Sequence, residues 1–271
     1  YENVGEVIAV GPETTLQVGT TVFVRGHQYD THGRGITWGS QVSHSLAAES
    51  AVVPVPSGVD PASAVFGKVS GISLHGVKRG RVAADEWVVV VGLGLIGHFV
   101  VQHAAARGAR VIAADMADDR LAMAKAGGAE HTVNVATQDL AEEVARLTDG
   151  GADVCFDATG RADTANASAQ VLRHRPWDSD PAAAARLVIQ GSLEAPLCLD
   201  YYDGFFDPEI DVIATRDNDT QDLIDSLDLT ASGKIDPTVI TVTEYDPANA
   251  QEAYERLDRR EIMRVRFSWP S

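Results

Sequence analysis

The sequence predicts an α/β protein: a doubly wound parallel sheet joined to a second, smaller β domain. Three observations carry this. Trp87–Val91 is an unbroken run of large and β-branched apolar residues, the pattern of a strand buried on both faces. Gly92, Gly94 and Gly97 follow at once in the spacing G-x-G-x-x-G, and an Ala/Val-rich helical stretch, Leu95–Arg107, comes after them. An acidic residue, Asp115, ends the next strand 18 positions beyond Gly97. In this context each glycine has a task. Gly92 allows the tight turn, Gly94 lets a pyrophosphate approach the backbone, and Gly97 lets helix and strand pack closely. Free N–H groups at the helix start face the anion.

From the N-terminus, residues 2–26 predict strand segments. Val7, Ile8 and Val10 run to a Gly11-Pro12 turn, and Thr21–Val24 follows Gly19. Residues 26–42 are rich in Gly, His, Thr and Asp and predict a loop. Ala51–Val53, stopped by Pro54 and Pro56, predicts a short strand. Asp60 is a candidate N-cap with Pro61 in the first helical position, and Ile72–Arg79 predicts a second helix.

After Trp87–Val91 the alternation is βαβ. Strands are expected at Arg110–Ala114, Thr132–Asn134, Asp153–Phe156, Arg186–Ile189 and Asp211–Thr215. Helices are expected at Asp119–Ala126 with Asp118 as cap, at Leu140–Leu147, over 163–173 and at Gln221–Ser232. The tail differs: strand Val239–Val242, helix Pro247–Leu257, closing strand Ile262–Phe267. The expected domains are 1–66 with 238–271, and 67–237.

Composition narrows the function classes. The chain has 271 residues, 45% of them hydrophobic, enough for two domains with a real core. No apolar run approaches about 18 residues, so no membrane span is expected. The formal charge is −17, the acids are mostly Asp, and only four lysines occur: Lys68, Lys78, Lys125 and Lys234. Such a surface repels nucleic acid and anionic membranes. It is either a plain solvated acidic face or one adapted to high salt. Two cysteines, Cys155 and Cys198, are too few for a disulfide framework, and each is expected to be a small buried hydrophobe in a reducing, cytoplasmic setting. The N-terminus has no initiator Met and no signal core, so the chain is expected to begin inside a longer protein.

Several stretches together resemble the medium-chain dehydrogenase/reductase family of the zinc alcohol dehydrogenase type. They are Tyr1–Val7 with Val10-Gly11, Gly19–Val22, Gly92–Gly97, Asp115, Asp157-Ala158-Thr159-Gly160 and Arg264. The resemblance covers nearly the whole chain. It implies a Rossmann NAD-binding domain and a GroES-like β-barrel, the barrel incomplete because roughly sixty residues precede this point in the family. Tyr1, the Leu74-His75-Gly76-Val77 stretch and the tail around Tyr254 and Phe267–Trp269 are also similar to a zinc-poor subgroup that includes the bacteriochlorophyllide a dehydrogenases.

The resemblance assigns the cofactor site to Gly92-Leu93-Gly94-Leu95-Ile96-Gly97, Asp115, Arg120, Thr159, Gly160, Gly191, Ser192 and Arg264. Asp115 would accept the ribose hydroxyls and repel a 2′-phosphate, which favours NAD(H). Arg120 would flank the adenine ribose. Thr159, Gly160, Gly191 and Ser192 would line the nicotinamide pocket, and Arg264 would reach the pyrophosphate.

The family's zinc ligands are not matched. Tyr1 stands where the motif Gly-His-Glu-x-x-Gly has its His, Phe66-Gly67-Lys68 stands where a ligand Cys is expected, and residues 26–44 hold no Cys for a structural zinc. No metal is therefore expected, although His27, His32 and His44 are a conceivable substitute cluster. Without zinc, Tyr1 as a phenol or Lys68 as a cation would polarise the carbonyl or take the proton, with His75 as a further acid/base candidate. Glu2 is expected to support the site structurally. The expected activity is hydride transfer between NAD(H) and a secondary alcohol or ketone. The alternatives are a zinc-free NADPH-dependent quinone or enone reductase and a non-catalytic dinucleotide-binding protein. The expected partner is a small alcohol or carbonyl compound, with a homodimer through the edge strand compatible with the sequence.

Overall fold

The computed structural model describes residues 2–25, 28–29, 35–36, 41–193 and 195–269. In chain order the strands and helices are β1 (Asn3–Glu6), β2 (Thr21–Val24), β3 (Gln28–Tyr29), β4 (Gly35–Ile36), β5 (Val52–Pro54), α1 (Pro61–Ala64), α2 (Gly67–Arg79), β6 (Trp87–Val91) and α3 (Leu95–Ala106). Then come β7 (Arg110–Asp115), α4 (Asp118–Ala126), β8 (His131–Asn134), α5 (Leu140–Thr148), β9 (Val154–Asp157), α6 (Ala165–Gln170) and β10 (Arg186–Ile189). The chain closes with β11 (Asp211–Ala214), α7 (Thr220–Ala231), β12 (Thr243–Tyr245), α8 (Ala250–Asp258) and β13 (Val265–Phe267).

Six strands form one sheet in the order β11-β10-β9-β6-β7-β8. Every pairing in it is parallel. The order reverses at β6, where the chain leaves the sheet centre first toward β7 and later toward β9. That switch point opens a crevice beyond the strand ends. The valines of β6 explain its central place. Val88 and Val90 pack into one core with Val100, Val101 and Ala104 of α3, while Val89 and Val91 pack into the other with Ile112, Val144 and Leu187. Both faces are apolar, so the run needs no alternation. Each fully buried valine contributes about 1.5–3 kcal/mol.

A second sheet, β1-β2-β5, is antiparallel. Phe23 and Val53 from it meet Ala64 of α1 and Leu223 and Leu227 of α7. β12 and β13 pair in parallel. Among the described residues no helix is long and apolar enough to cross a membrane.

Several expected boundaries move. α2 begins at Gly67, not Ile72. Its Gly and Ser residues are poor helix formers, but they admit neighbours: a Cβ on Gly67 would come within 3.0 Å of Leu223 and Leu227. Packing against α7 overrides propensity. The Val7–Val10 run lies outside a strand, with Ile8 and Val10 exposed. The register of β1 runs to Glu6–Thr21, and Val7 still bonds Thr20 and Gly19 through its backbone before the chain turns away. Asp118 is the first helical residue and Ala117 the cap. Asp60 holds the cap position of α1, but through its carbonyl, which accepts from Ser63 and Ala64. The 163–173 helix shortens to α6.

In the tail, Val239 ends a 3-10 turn that starts at Pro237, where the Asp236 carboxylate accepts the Thr238 N–H at 2.9 Å. The strand therefore forms later, as β12. Pro247–Asn249 is likewise a 3-10 turn ahead of α8. Cys155 is buried, whereas Cys198 is exposed, contrary to expectation. Its segment, after β10, lies outside the sheet.

Candidate active site

The glycine turn sits at the carboxyl end of β6. Gly92 has φ +88°, and a Cβ on it would come within 3.0 Å of Thr159, leaving no room for a side chain. A Cβ on Gly97 would overlap the Gly92 carbonyl oxygen, so helix and strand touch there. Gly94, the N-cap of α3, differs: a Cβ on it would meet nothing within 4 Å. The first intrahelical bond runs from the His98 N–H to the Gly94 carbonyl at 3.0 Å. The amides of Leu95, Ile96 and Gly97 thus precede the helical ladder and face that open space. Meanwhile the side chains of Leu95 and Ile96 pack inward around Phe66 and Phe99, and Leu93 is fully buried.

Asp115 is brought to this turn from β7. Its carboxylate accepts the Leu93 N–H at 2.7 Å and the Ala117 N–H at 3.0 Å. Arg120 stands 3.7 Å from it. The sequence-predicted set Gly92–Gly97, Asp115 and Arg120 therefore forms one cluster.

On the other side of β6 lies the second cluster. Gly160 and Ser192 line a cavity of about 460 Å³ with Arg161, Ala162, Asp163 and Ala195. A Cβ on Gly191 would overlap the Gly160 amide nitrogen, so the loops after β9 and β10 touch. Thr159 points back toward the sheet and donates its hydroxyl to Asp157 at 2.6 Å.

The candidates for proton chemistry are placed differently. Tyr1, His27 and His32 lie outside the described residues, and His44 is exposed. Lys68 is buried at the head of α2. Its Nζ donates to Asp217 at 2.7 Å and to Asn218 at 3.1 Å. His75 stands about two turns further along the helix, its Nδ1 2.8 Å from Asp222. Asp222 also accepts from Lys78 at 2.7 Å and closes the capping box of α7 with Asp219. Burial pushes the Asp222 carboxyl up, but the hydrogen bonds from Lys78, His75 and the Asp219 amide outweigh it, so the group sits below the usual carboxylate range. Lys68 and His75 both serve the seam between α2 and the approach to α7.

Arg264 pairs with Glu2 and lies 5.4 Å from the centre of the Phe66 ring. Glu2 also accepts the Val69 N–H at 3.3 Å. The described contacts of Arg264 thus tie the tail to the first strand, the structural role expected of Glu2.

A family model described as Zinc-binding dehydrogenase matches residues 96–176. The sorbitol dehydrogenase of Halalkalibacterium halodurans is 26% identical over 272 residues, covering 97% of this chain and 76% of that protein. The alcohol dehydrogenase of Moraxella sp. is 30% identical over 228 residues, 83% of this chain and 62% of that protein. An Escherichia coli alcohol dehydrogenase solved with NADH superposes with a TM-score of 0.79 at 21% identity, covering 97% of this chain and 80% of that one. These matches support a medium-chain dehydrogenase/reductase, an alcohol dehydrogenase-like oxidoreductase. The chain spans less than the whole length of each of these relatives.

The residues present fit a nicotinamide dinucleotide. The space beside Gly94 and the three unladdered amides of α3 suit a pyrophosphate, and the Asp115 carboxylate suits a ribose diol. Among the described residues no three His, Cys, Asp or Glu side chains converge on one point. Two residues carry more of the site than the sequence alone assigns them. Asp157 lies in the Asp-Ala-Thr-Gly stretch, but its function depends on partners 2–11 positions away that no motif marks. Asp217 binds Lys68 across 149 positions, a separation invisible to local pattern.

Proposed function

We propose that the chain transfers a hydride between NAD(H) and a secondary alcohol or its ketone, without a catalytic zinc ion. The observation that carries the cofactor choice is Asp115. Its carboxylate is held at the rim of the pyrophosphate turn by the Leu93 and Ala117 amides. There it accepts ribose hydroxyls and repels a 2′-phosphate. The relatives' names, sorbitol and alcohol dehydrogenase, support an alcohol as substrate. When bound, the nicotinamide supplies the hydride or accepts it. The protein holds the two carbons face to face and keeps water out.

Of the three candidates for polarising the carbonyl and moving the proton, Lys68 and His75 already serve Asp217, Asn218 and Asp222. This reading therefore gives the proton to the Tyr1 phenol and makes Lys68 and His75 supports of the α2–α7 seam. The division into 1–66 with 238–271 and 67–237, a homodimer through the exposed edge of β11 and a cytoplasmic location belong to the same proposal.

The test is Asp115→Ser. NADH affinity should fall about tenfold and the preference over NADPH should shrink or reverse, read by fluorescence titration of both nucleotides. An unchanged preference overturns the NAD assignment and favours the NADPH-dependent quinone or enone reductase. Nucleotide binding with no hydride transfer to a panel of secondary alcohols and ketones supports the non-catalytic reading.

A further inference from the structure

β9 ends on Asp157, which is 2% exposed. Its carboxylate sits among hydroxyls and an amide. Oδ1 accepts the Thr159 N–H at 3.0 Å and the Thr159 hydroxyl at 2.6 Å. Oδ2 faces the hydroxyls of Thr164 at 2.8 Å and Ser168 at 3.3 Å. A buried carboxylate is tolerated only where donors satisfy it, and here the donors come from the exit turn and α6. The same residue's carbonyl accepts the N–H groups of Gln190 and Gly191 at 2.9 and 3.0 Å. One residue thus anchors the turn after β9 through its side chain and the loop after β10 through its backbone. These are the two loops that touch at Gly160 and Gly191 and line the cavity. The turn is also wedged against the pyrophosphate loop, since a Cβ on Gly92 would lie 2.9 Å from Thr159 Cγ2.

We propose that Asp157 is the positioning residue for the nicotinamide half of the site. The inference rests on the dinucleotide reading above. Asp115 on β7 takes the adenosine half and the glycine turn on β6 takes the pyrophosphate. The remaining half extends over β9 and β10, where Asp157 fixes the loop geometry. Asp157 touches no cofactor atom itself and acts through Thr159, Gly160 and Gly191.

The test compares NADH with ADP, which lacks the nicotinamide. Asp157→Asn keeps the side-chain size but removes the charge and replaces one acceptor oxygen with an NH2, so the charge-assisted bonds that hold the turn are lost. NADH binding should weaken about tenfold, while ADP binding stays within about twofold. Thr159→Val keeps the packing against Gly92, removes one donor, and should move the same way. It serves if Asp157→Asn does not fold. Val144→Ala, which opens a cavity under the same sheet, should lower stability and leave both affinities alone. The inference is overturned if the folded Asp157 or Thr159 variant binds NADH like the wild type, or if NADH and ADP weaken equally. A wild-type protein that binds neither nucleotide overturns the dinucleotide reading, and this inference with it. Tight wild-type binding with unaffected variants overturns this inference alone.

Discussion

Gly94 and Gly97 are three residues apart in one motif and do opposite things. A Cβ on Gly97 has nowhere to go, because the backbone of Gly92 occupies its place. A Cβ on Gly94 clashes with nothing in the protein and would fill the space that the α3 amides face. Gly97→Ala should therefore cost about 2–4 kcal/mol of stability, from overpacking against backbone that cannot yield. Gly94→Ala should keep the wild-type melting temperature within a few degrees and lose NADH affinity by about tenfold or more. Thermal melts and a nucleotide titration on the two variants separate these outcomes. Spacing alone gave both glycines the correct place, because the motif encodes a local turn. The neighbour that makes Gly92 obligatory, Thr159, is 67 positions away, and the sequence shows nothing of it. Lys68 is the converse case: its residue type suggested chemistry, and only the fold reveals Asp217 and Asn218 around its ammonium.

α3 illustrates what an element adds. Its Ala and Val residues made it legible as a buried helix, and it runs over Leu95–Ala106 nearly as expected. The helix also buries two histidines, His98 and His103, to which the Ala/Val pattern assigns no place. Both are 1% exposed. Burial lowers His98 to about 4, with the Asp115 charge opposing, and lowers His103 to about 3 against a hydrogen bond that its Nε2 donates to the Ser70 carbonyl. The sign follows from proton uptake. Near pH 7 both rings are neutral in the folded and unfolded chains. Below pH 6.5 the unfolded rings take protons that the folded ones refuse, so this stability is full above pH 6.5 and is lost as pH falls toward 4 and 3. Each ring should contribute a slope of about 1.4 kcal/mol per pH unit between pH 6 and 5. His98→Leu also removes an Nε2 with no hydrogen-bond partner among the described residues, and should halve that slope. Urea unfolding at pH 7, 6 and 5 measures it. α2 shows the opposite limit of legibility. Its first turn, Gly67–Ser70, has poor helix propensity and forms because Leu223 and Leu227 of α7 close over it.

At the scale of the whole molecule, the net charge of −17 sets a cost that no single contact reveals. Like charges crowd together on folding, and their repulsion opposes the compact state. Some acids are answered, as Glu130 is by Arg110 and Asp211 by Arg81. Others, such as the exposed Asp203 and Glu252, form no side-chain ion pair or hydrogen bond among the described residues. Dissolved cations must screen these. The screening length shrinks from about 10 Å at 0.1 M salt to about 3 Å at 1 M, so the repulsion should be strong in dilute buffer and nearly gone in concentrated salt. The melting temperature should therefore rise by several degrees between 0.1 and 1 M sodium chloride. The decisive comparison is the double variant Asp203→Lys with Glu252→Lys, which moves the charge from −17 to −13, two units per substitution. It should melt higher than the wild type at 0.1 M and converge with it at 1 M, because the charge it relieves is the charge that salt screens. Equal salt dependence in the two proteins would mean that the acids act locally, through pairs such as Arg110–Glu130, and that the acidic surface is a plain solvated face.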